Sequence, residues 1–583
     1  MHTRKSKTLI KLCAVLGGLA IVAGACSSDK KAETTTKPGD ATTTAVVTTA
    51  VPNTAVSTTL ATTPPELKPV AGGKLVMAIE AETSSGWTPA SMICAISCHT
   101  VARSVYDTLT LVGADGSMQP NLLKSIKPSA DYKTWTLTAR EGIKFHDGTP
   151  FNGAAIADNL SRHQKAFLTG KAFKDVESVT VDPANPMVAI AKMKRPWVSF
   201  PVYLAGQIGY MASPTWLKAV EGDPTLATKP VGTGPFIYKE FVANDHFTAT
   251  KNKDYWRSKD GYPYLDEVTF RPLDDQPQRV KGLEGGTFDM THLSSGKEIV
   301  QVRDEAAKFN MIETTKYGET NYVLLNVANE GANATSPILD QRIRCAMANA
   351  FDQTVLNTNK YKGVDKVANG PFSPDQIGYL ADSGYPKFDV AAGKALVDAY
   401  KKEKGVNKVE IKLTTTPSPD AQEDQTVFAG QMKEIGIDAT LNNVEQGAYI
   451  VTALKGDFQV FAWRNHGGVD PDAQRIWWHS EAADPLGAFG LNFGRIKDPN
   501  IDKQLDIIRE SPDAAVRKTA AEEINRIFGK QCYDLWDTWT TWAIASNKKI
   551  HGIQDYKLPD GGDAAFGSGI AGTFQIAAIW KEA

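Results

Sequence analysis

The segment Arg464-Asn-His-Gly-Gly-Val-Asp-Pro471 gathers a guanidinium, an imidazole and a carboxylate in one short loop. Arg464 presents a fork of donors that suits a carboxylate or a phosphate. His466 is a donor, a cation or, when neutral, a metal ligand. The pair favours an anionic group or a His-anchored metal chelate as the thing recognised; Arg464 pointing outward is the alternative. Asp470 either pairs with a cation or caps the helix that follows, and both readings stay open. Trp463 precedes the loop. With Trp87, Trp477 and Trp478 it can supply flat apolar walls, although tryptophans also fill cores. A second group, Cys94-x3-Cys98-His99, holds three metal-capable side chains without a fourth ligand close by.

Catalytic signatures are sparse. Gly567-Ser-Gly-Ile-Ala-Gly572 fits G-x-G-x-x-G, yet 573–580 after it reads as a strand and not as the helix that motif requires. Ser294-Ser-Gly-Lys297 fits S-x-x-K without a K-T-G partner. Metalloprotease, P-loop and nucleophile-elbow motifs are missing, and the carboxylates are scattered. A triad assembled only in space would leave no such signature. The expectation is a binding protein without catalysis, cofactor or resident metal, with a secreted hydrolase as the rival class.

Recurring patterns show what must position these groups. Leu75, Met77 and Ile79 alternate as a strand, leaving Glu80, Ala81, Glu82 and Thr83 just beyond its end. Residues 91–109 read as largely helical. Trp135, Leu137 and Ala139 alternate before Glu141-Gly142, with Ile143 and Phe145 as the returning arm of a hairpin; a helix follows over 152–167. Asp389 can cap a helix whose Ala392, Ala395, Leu396 and Ala399 share a face, with Gly405 past its end. Then come a strand at 409–416, a helix at 421–435, a strand at 437–441, a helix at 447–454 and a strand at 457–463. That order predicts a mostly parallel sheet flanked by helices. Open parallel sheets bind ligands beyond the C-terminal ends of their strands, where the 464–471 loop sits.

The chain has 583 residues and a formal net charge of −2, so a basic nucleic-acid surface is excluded as its main theme. The length allows about three domain-sized units. At the N-terminus, Arg4, Lys5, Lys7 and Lys11 precede an apolar stretch that ends in Val22-Ala-Gly-Ala-Cys26. This reads as a signal peptide closed by a lipobox, with Cys26 the lipidated first residue after cleavage. Residues 27 to about 69 are rich in Thr, Ala and Pro without aromatics, which suits an unfolded tether. Cys94, Cys98, Cys345 and Cys532 remain for the exported body. Three pairings are possible; a local Cys94–Cys98 bridge with a long Cys345–Cys532 loop is favoured.

The ordered motifs then point to a family. Trp135-Thr-Leu-Thr-Ala-Arg-Glu-Gly-Ile-Lys-Phe-His-Asp-Gly-Thr-Pro-Phe151 resembles the signature of the family 5 extracellular solute-binding proteins, the peptide- and nickel-binding components of ABC importers. Val231-Gly-Thr-Gly-Pro-Phe236, Asn252-Lys-Asp-Tyr-Trp256, Tyr264-Leu-Asp-Glu-Val-Thr-Phe270 and Gly285-Gly-Thr-Phe-Asp-Met290 are similar to later blocks, in the same order. So are Asn326 and Leu339-Asp-Gln-Arg-Ile-Arg-Cys-Ala-Met-Ala-Asn-Ala-Phe-Asp352.

The resemblance implies an α/β, two-lobed periplasmic-binding-protein-like fold, with mixed sheets flanked by helices, an inserted subdomain and a hinge. The implied divisions are a signal peptide at 1–25, a lipidated tether at 26–71 and a first lobe at 72–113, 229–289 and 546–583. The insertion would occupy 114–228 and the second lobe 290–545. It further implies a monomer anchored outside the cytoplasm that delivers a peptide-like solute to an ABC permease, with a nickel or metal-chelator cargo as the alternative. His146, Asp147, Gly232, Gly234, Arg342 and Arg344 would be scaffold. Ligand contacts would come from Glu80, Ala81, Glu82, Thr83, Trp87, Trp463, Arg464, Asn465, His466 and Asp470. Peptide-binding relatives carry an ammonium-pairing aspartate three residues before an acidic-Pro pair. Here Gly467 stands three residues before Asp470-Pro471, and counting from Trp463 reaches His466. Ordinary peptide recognition is therefore altered. The main chain at 80–83 could still pair with a peptide backbone.

Overall fold

The computed structural model describes residues 67–583 apart from 84, 95, 466 and 568–571. Cys26, the tether up to residue 66 and His466 therefore lie outside the described residues, as does most of the G-x-G-x-x-G segment. Among the described residues no helix is long and apolar enough to cross a membrane.

Alternation makes Lys74–Ile79 a strand, and its pairings place it in the middle of a sheet. It runs parallel to Glu267–Pro272 on one side and to Met290–Leu293 on the other. Among the described residues seven strands form this sheet, in the order Phe309–Thr314, Trp542–Asn547, Met290–Leu293, Lys74–Ile79, Glu267–Pro272, His246–Lys251 and Phe236–Val242. Leu75, Met77, Ile79, Phe247, Val268 and Phe270 fill the core beneath it.

Among the described residues a second sheet, of six strands, forms the other lobe. Val409–Thr415 lies between Ile437–Asn443 and Val460–Asn465, parallel to both. Helices Pro419–Glu434 and Gln446–Lys455 make the crossings. The sheet is extended by antiparallel Thr320–Leu325, Asp534–Trp539 and Lys366–Val367, so it is mixed. Helix Val390–Lys404 starts where the Asp389 carboxylate accepts from the Ala392 amide and stops at Gly405, whose φ of 66° is the left-handed conformation glycine tolerates. A third sheet, Leu123–Pro128, Thr134–Ala139, Asn185–Met193 and Val176–Asp182, belongs to the insertion.

Four expectations need correction. Met290–Leu293, Phe309–Thr314 and Trp542–Asn547 pair within the first sheet, so the second lobe begins near 320 and ends near 539 instead of spanning 290–545. Segments 315–319 and 540–541 are the crossings. The 135–145 hairpin does not form. Thr134–Ala139 has both edges occupied, by Leu123–Pro128 and Asn185–Met193, so the 143–150 segment makes only a single bridge between Lys144 and Pro150. The helix expected over 91–109 is confined to Ile96–Val105, entered through the Cys94–Cys98 bridge. Residues 573–580 yield a 3₁₀ turn at Ile576–Ala578 and a strand only at Trp580–Lys581. The second disulfide joins Cys345 to Cys532.

The recurring motifs turn out to hold the pieces together. Gly232 and Gly234 permit contact more than turning: a Cβ at either would sit 2.2 or 2.4 Å from the Val105 carbonyl group. Half-buried His146 bonds Gly234 O through Nε2 at 3.0 Å and accepts from the Gly232 amide through Nδ1 at 3.3 Å. Burial pushes its pKa down to about 4, so it is neutral. Asp107 accepts from Thr233, Tyr255 and Trp256 at 2.8–3.0 Å. Arg344 braces main-chain oxygens of Ile338, Leu339 and Gln531.

The insertion also meets the second lobe. Arg509 Nη1 donates to Asp175 at 2.6 Å, and its Nε donates to Asp472 at 3.0 Å. Asp472, fully buried, also accepts from Trp197 Nε1 at 2.9 Å and Ser199 Oγ at 2.6 Å. Every charge in this contact has an opposite partner, as burial demands.

Candidate functional site

Two strand ends, one from each lobe, meet at the site. Lys74–Ile79 delivers Glu80, and Val460–Asn465 carries Trp463, Arg464 and Asn465. Arg464 Nη2 donates to both Glu80 carboxylate oxygens, at 3.1 and 3.2 Å. Its Nε meets Glu319 Oε2 at 2.8 Å, and its Nη1 reaches Ser294 Oγ at 3.4 Å. The guanidinium also lies 4.9 Å from the centre of the Trp542 ring. Glu319 accepts from Trp542 Nε1 at 3.0 Å, and its carbonyl accepts from the Thr540 amide at 2.9 Å. The two crossing segments therefore lie side by side, and Arg464 is anchored on them. Side chains of Arg464 and Glu80 stay 28% and 20% exposed, whereas that of Glu319 is 2% exposed. The anchor is dry and the cross-lobe pair is reachable by solvent.

Burial works against the Arg464 charge, but Glu319 and Glu80 outweigh it and raise its pKa. Asp274 and Arg279 widen the cluster on the first lobe. Burial and the Glu80 charge push the Asp274 carboxyl up. Arg279 is fully buried; its Nη1 donates to Leu273 O at 2.9 Å, while its Nε and Nη2 have no acceptor.

The donor fork of Arg464, expected to suit an anionic group, already meets carboxylates of the protein itself. Two carboxylates already balance Arg464, so the loop offers a two-signed surface. Other expected contacts are also redistributed. The Ser97 hydroxyl occupies both main-chain groups of Ala81, at 3.0–3.1 Å, and so blocks peptide-backbone pairing there. Glu82 accepts from the Asn244 amide at 2.8 Å, with burial pushing its carboxyl up. Thr83 closes a turn onto Gly86 O. Trp87 is 1% exposed and packs against Phe247 and Phe241 at 4.9 and 5.9 Å, so it fills the core and lines no wall. Trp478 is likewise core, 4.9 Å from Phe528.

Trp463 is half-buried, stacked on Tyr449 at 6.0 Å and edge-on to Phe493 at 5.0 Å; Trp477 lies 5.4 Å from Phe493. These rings make an aromatic face beside Arg464. Asn465 is buried opposite Thr320. Asp470 caps the turn at Asp472 N and pairs with Arg517 at 2.5 Å, so its two options resolve as cap and structural ion pair. A Cβ on Gly467 would lie 1.9 Å from Gly318 O and 2.3 Å from Tyr317 O. The position of the missing aspartate is thus packed on a crossing segment, with no room for a side chain. Glu319, Trp542, Asp274 and Arg279 escaped the sequence reading, since no local pattern marks them; Ser294 was marked only by its S-x-x-K motif.

Residues 117–485 match the family described as bacterial extracellular solute-binding proteins, family 5. The chain belongs to that family. This solute-binding protein is 26% identical over 474 residues to the nickel-binding periplasmic protein of Escherichia coli K12, covering 77% of this chain and 86% of that one. It is 23% identical over 582 residues to the oligopeptide-binding protein AppA of Bacillus subtilis 168, covering 95% and 97%. Among solved structures it superposes on the periplasmic binding protein DppA of Helicobacter pylori in complex with the peptide STSA. The TM-score is 0.75 at 19% identity, over 88% of this chain and 99% of that one. The two-lobed α/β fold is common to these structures, and transport binding proteins, not enzymes, make up the family.

Proposed function

We propose that the protein is an extracytoplasmic lipoprotein, anchored through Cys26 and tethered by 26–71, that captures a peptide-like solute between its lobes. It acts as a monomer and hands the solute to the permease of an ABC importer, without turnover. The observation that carries this reading is the Glu80–Arg464 pair. One residue comes from each lobe, both are partly exposed, and Arg464 rests on the crossing segments. A solute held there touches both lobes and the hinge at once, which is what coupling capture to closure requires. Relatives named for oligopeptides support the cargo class. A nickel chelate is the second reading, favoured by the nickel-binding relative and by His466 two residues from Arg464.

Mass spectrometry and metal analysis of the protein purified from its own host test this directly. Peptides or peptide-like compounds at near one per chain are expected. Stoichiometric nickel would establish the second reading instead, and a co-purified solute of neither kind would refute both.

A further inference from the structure

We infer that Asp472 is a positioning residue for capture: out of reach of any solute itself, it joins the loop after Arg464 to the insertion, so that ordering one orders the other. The inference rests on the proposed capture function and goes beyond it by naming the route through which the insertion senses an occupied cleft.

The route begins with a stiff loop. Arg464 is held by Glu319 at the end of Val460–Asn465, and from Gly467 onward the chain is pinned at nearly every step. Gly467 lies flat on the crossing segment, with no space for a Cβ beside Gly318 O. Gly468 O accepts from Gln376 Nε2 at 3.3 Å. Val469 packs against a cluster of Val112, Ala205, Tyr317 and Ala565, which brings together the first lobe, the insertion and the crossing. The Asp470 carboxylate takes the Asp472 amide at 2.9 Å and the Arg517 guanidinium at 2.5 Å, and the ring of Pro471 restricts the backbone between them. A displacement near Arg464 is therefore carried along the loop to Asp472 instead of being absorbed within it.

Asp472 ends the route. It is fully buried, so no solute touches it. From the insertion, Trp197 Nε1 and Ser199 Oγ donate to one of its carboxylate oxygens, and Tyr203 OH donates to its carbonyl at 2.9 Å. From its own lobe it accepts Arg509 Nε. The insertion donors are fixed to the first lobe: Leu109 N donates to Gly209 O at 3.0 Å, and Arg103 Nη2 donates to Ala205 O at 2.9 Å. Parting of the lobes must take Trp197, Ser199 and Tyr203 away from Asp472 and leave it with Arg509. Docked and undocked Asp472 are thus two discrete arrangements, the kind of element through which coupling between separate places travels. A solute that steadies the loop presents Asp472 ready for its donors, and donors on Asp472 steady the loop for a solute. By linkage the two effects are equal in size.

Amide hydrogen exchange reads both ends of the route. The Val198 amide donates to Arg509 O at 2.9 Å across the lobe boundary, so segment 197–204 reports docking of the insertion; segment 468–473 reports order in the loop. Full-length protein purified with its solute from its own host is compared with the same protein stripped by dialysis against mild denaturant. The stripped protein is also measured with tri-alanine or a nickel(II)–histidine mixture added. In the wild type at least one of these solutes should slow exchange in both segments. Ser199→Ala removes one bond to a charged acceptor and should cut the effect on 197–204 by about tenfold, while the effect on 468–473 persists. Asp472→Asn should uncouple the segments further; if it fails to fold, Ser199→Ala decides. Asp175→Ala breaks a neighbouring contact of the same guanidinium that does not involve the loop, and should leave the two segments responding together. A residue with a merely structural role would change stripped and loaded protein alike. Coupling lost no more in Ser199→Ala than in Asp175→Ala would overturn the inference and leave capture standing, as would a wild-type response confined to 468–473. No response to any solute in either segment would overturn the proposed capture site and the inference together.

Discussion

Removing Asp175 should open the receptor without unfolding it. The Asp175 carboxylate, on the insertion, takes a 2.6 Å bond from Arg509 of the second lobe, and its side chain is 12% exposed. Arg509 keeps Asp472 as a partner within its own lobe at 3.0 Å and stacks 4.1 Å over Trp197. Separation of the lobes must break the Asp175 bond but not the Asp472 pair. The cost of Asp175→Ala therefore falls on the closed form. A hydrogen bond between charged partners contributes about 1.5–3 kcal/mol, and at this low exposure we take about 2. That is roughly a 30-fold shift of the closed–open equilibrium. Cargo that binds only the closed form weakens by up to that factor when the open form dominates without cargo. If the closed form dominates instead, the shift appears as an expanded cargo-free protein. Small-angle scattering with and without cargo, beside calorimetric titration of the co-purified solute, reads both quantities. Unchanged scattering and unchanged affinity together would refute the idea that this contact stabilises closure.

Three further outcomes are expected. Cys26→Ala should stop incorporation of labelled fatty acid and release the protein from membranes or leave it as precursor; equal labelling of variant and wild type would sink the anchor. His146 has its pKa lowered to about 4 from 6.5, so the stability it contributes is full above about pH 6.5 and falls as pH drops toward 4, by up to about 3 kcal/mol. Urea unfolding of His146→Gln should show a shallower acid loss than wild type, with solute affinity kept within about twofold. Gly467→Asp should lower the melting temperature, because its Cβ meets main-chain oxygens of 317 and 318, with a cost of about 3 kcal/mol or more. Wild-type melting would show that the crossing segment yields.

Local signals carried the elements whose stability is decided locally. The helix after Asp389 needed only a cap, an apolar face and Gly405, all adjacent in sequence. The parallel trio around Val409–Thr415 followed from strand–helix alternation at short spacing. What failed depended on distant partners. Met290–Leu293 belongs to the first sheet because Lys74–Ile79 and Trp542–Asn547 flank it, and both lie over two hundred residues away. The 135–145 hairpin is a sound local pattern that loses to two strands already claiming its edges. Trp87 and Trp463 look alike in sequence and differ only in what packs over them. Arg464 was legible as a candidate from its loop, but its balance of charge came from Glu80 and Glu319, which no spacing ties to it. The role of Gly467 was hidden for the same reason: its neighbour is the main chain of a segment about 150 residues earlier.

The Cys345–Cys532 bond has a mechanical consequence. It closes a ring across a sequence separation of 187 that contains most of the second lobe, leaving Thr320–Leu325 and Asp534–Trp539 as the two leads toward the hinge. Tension applied between the ends of the chain passes from one lead to the other through a covalent shortcut. The strand that carries Trp463 and Arg464 lies inside the ring and never becomes part of the loaded contour. In single-molecule stretching, the oxidised chain should stop roughly 650 Å short of the fully extended reduced chain, at about 3.3–3.6 Å per residue.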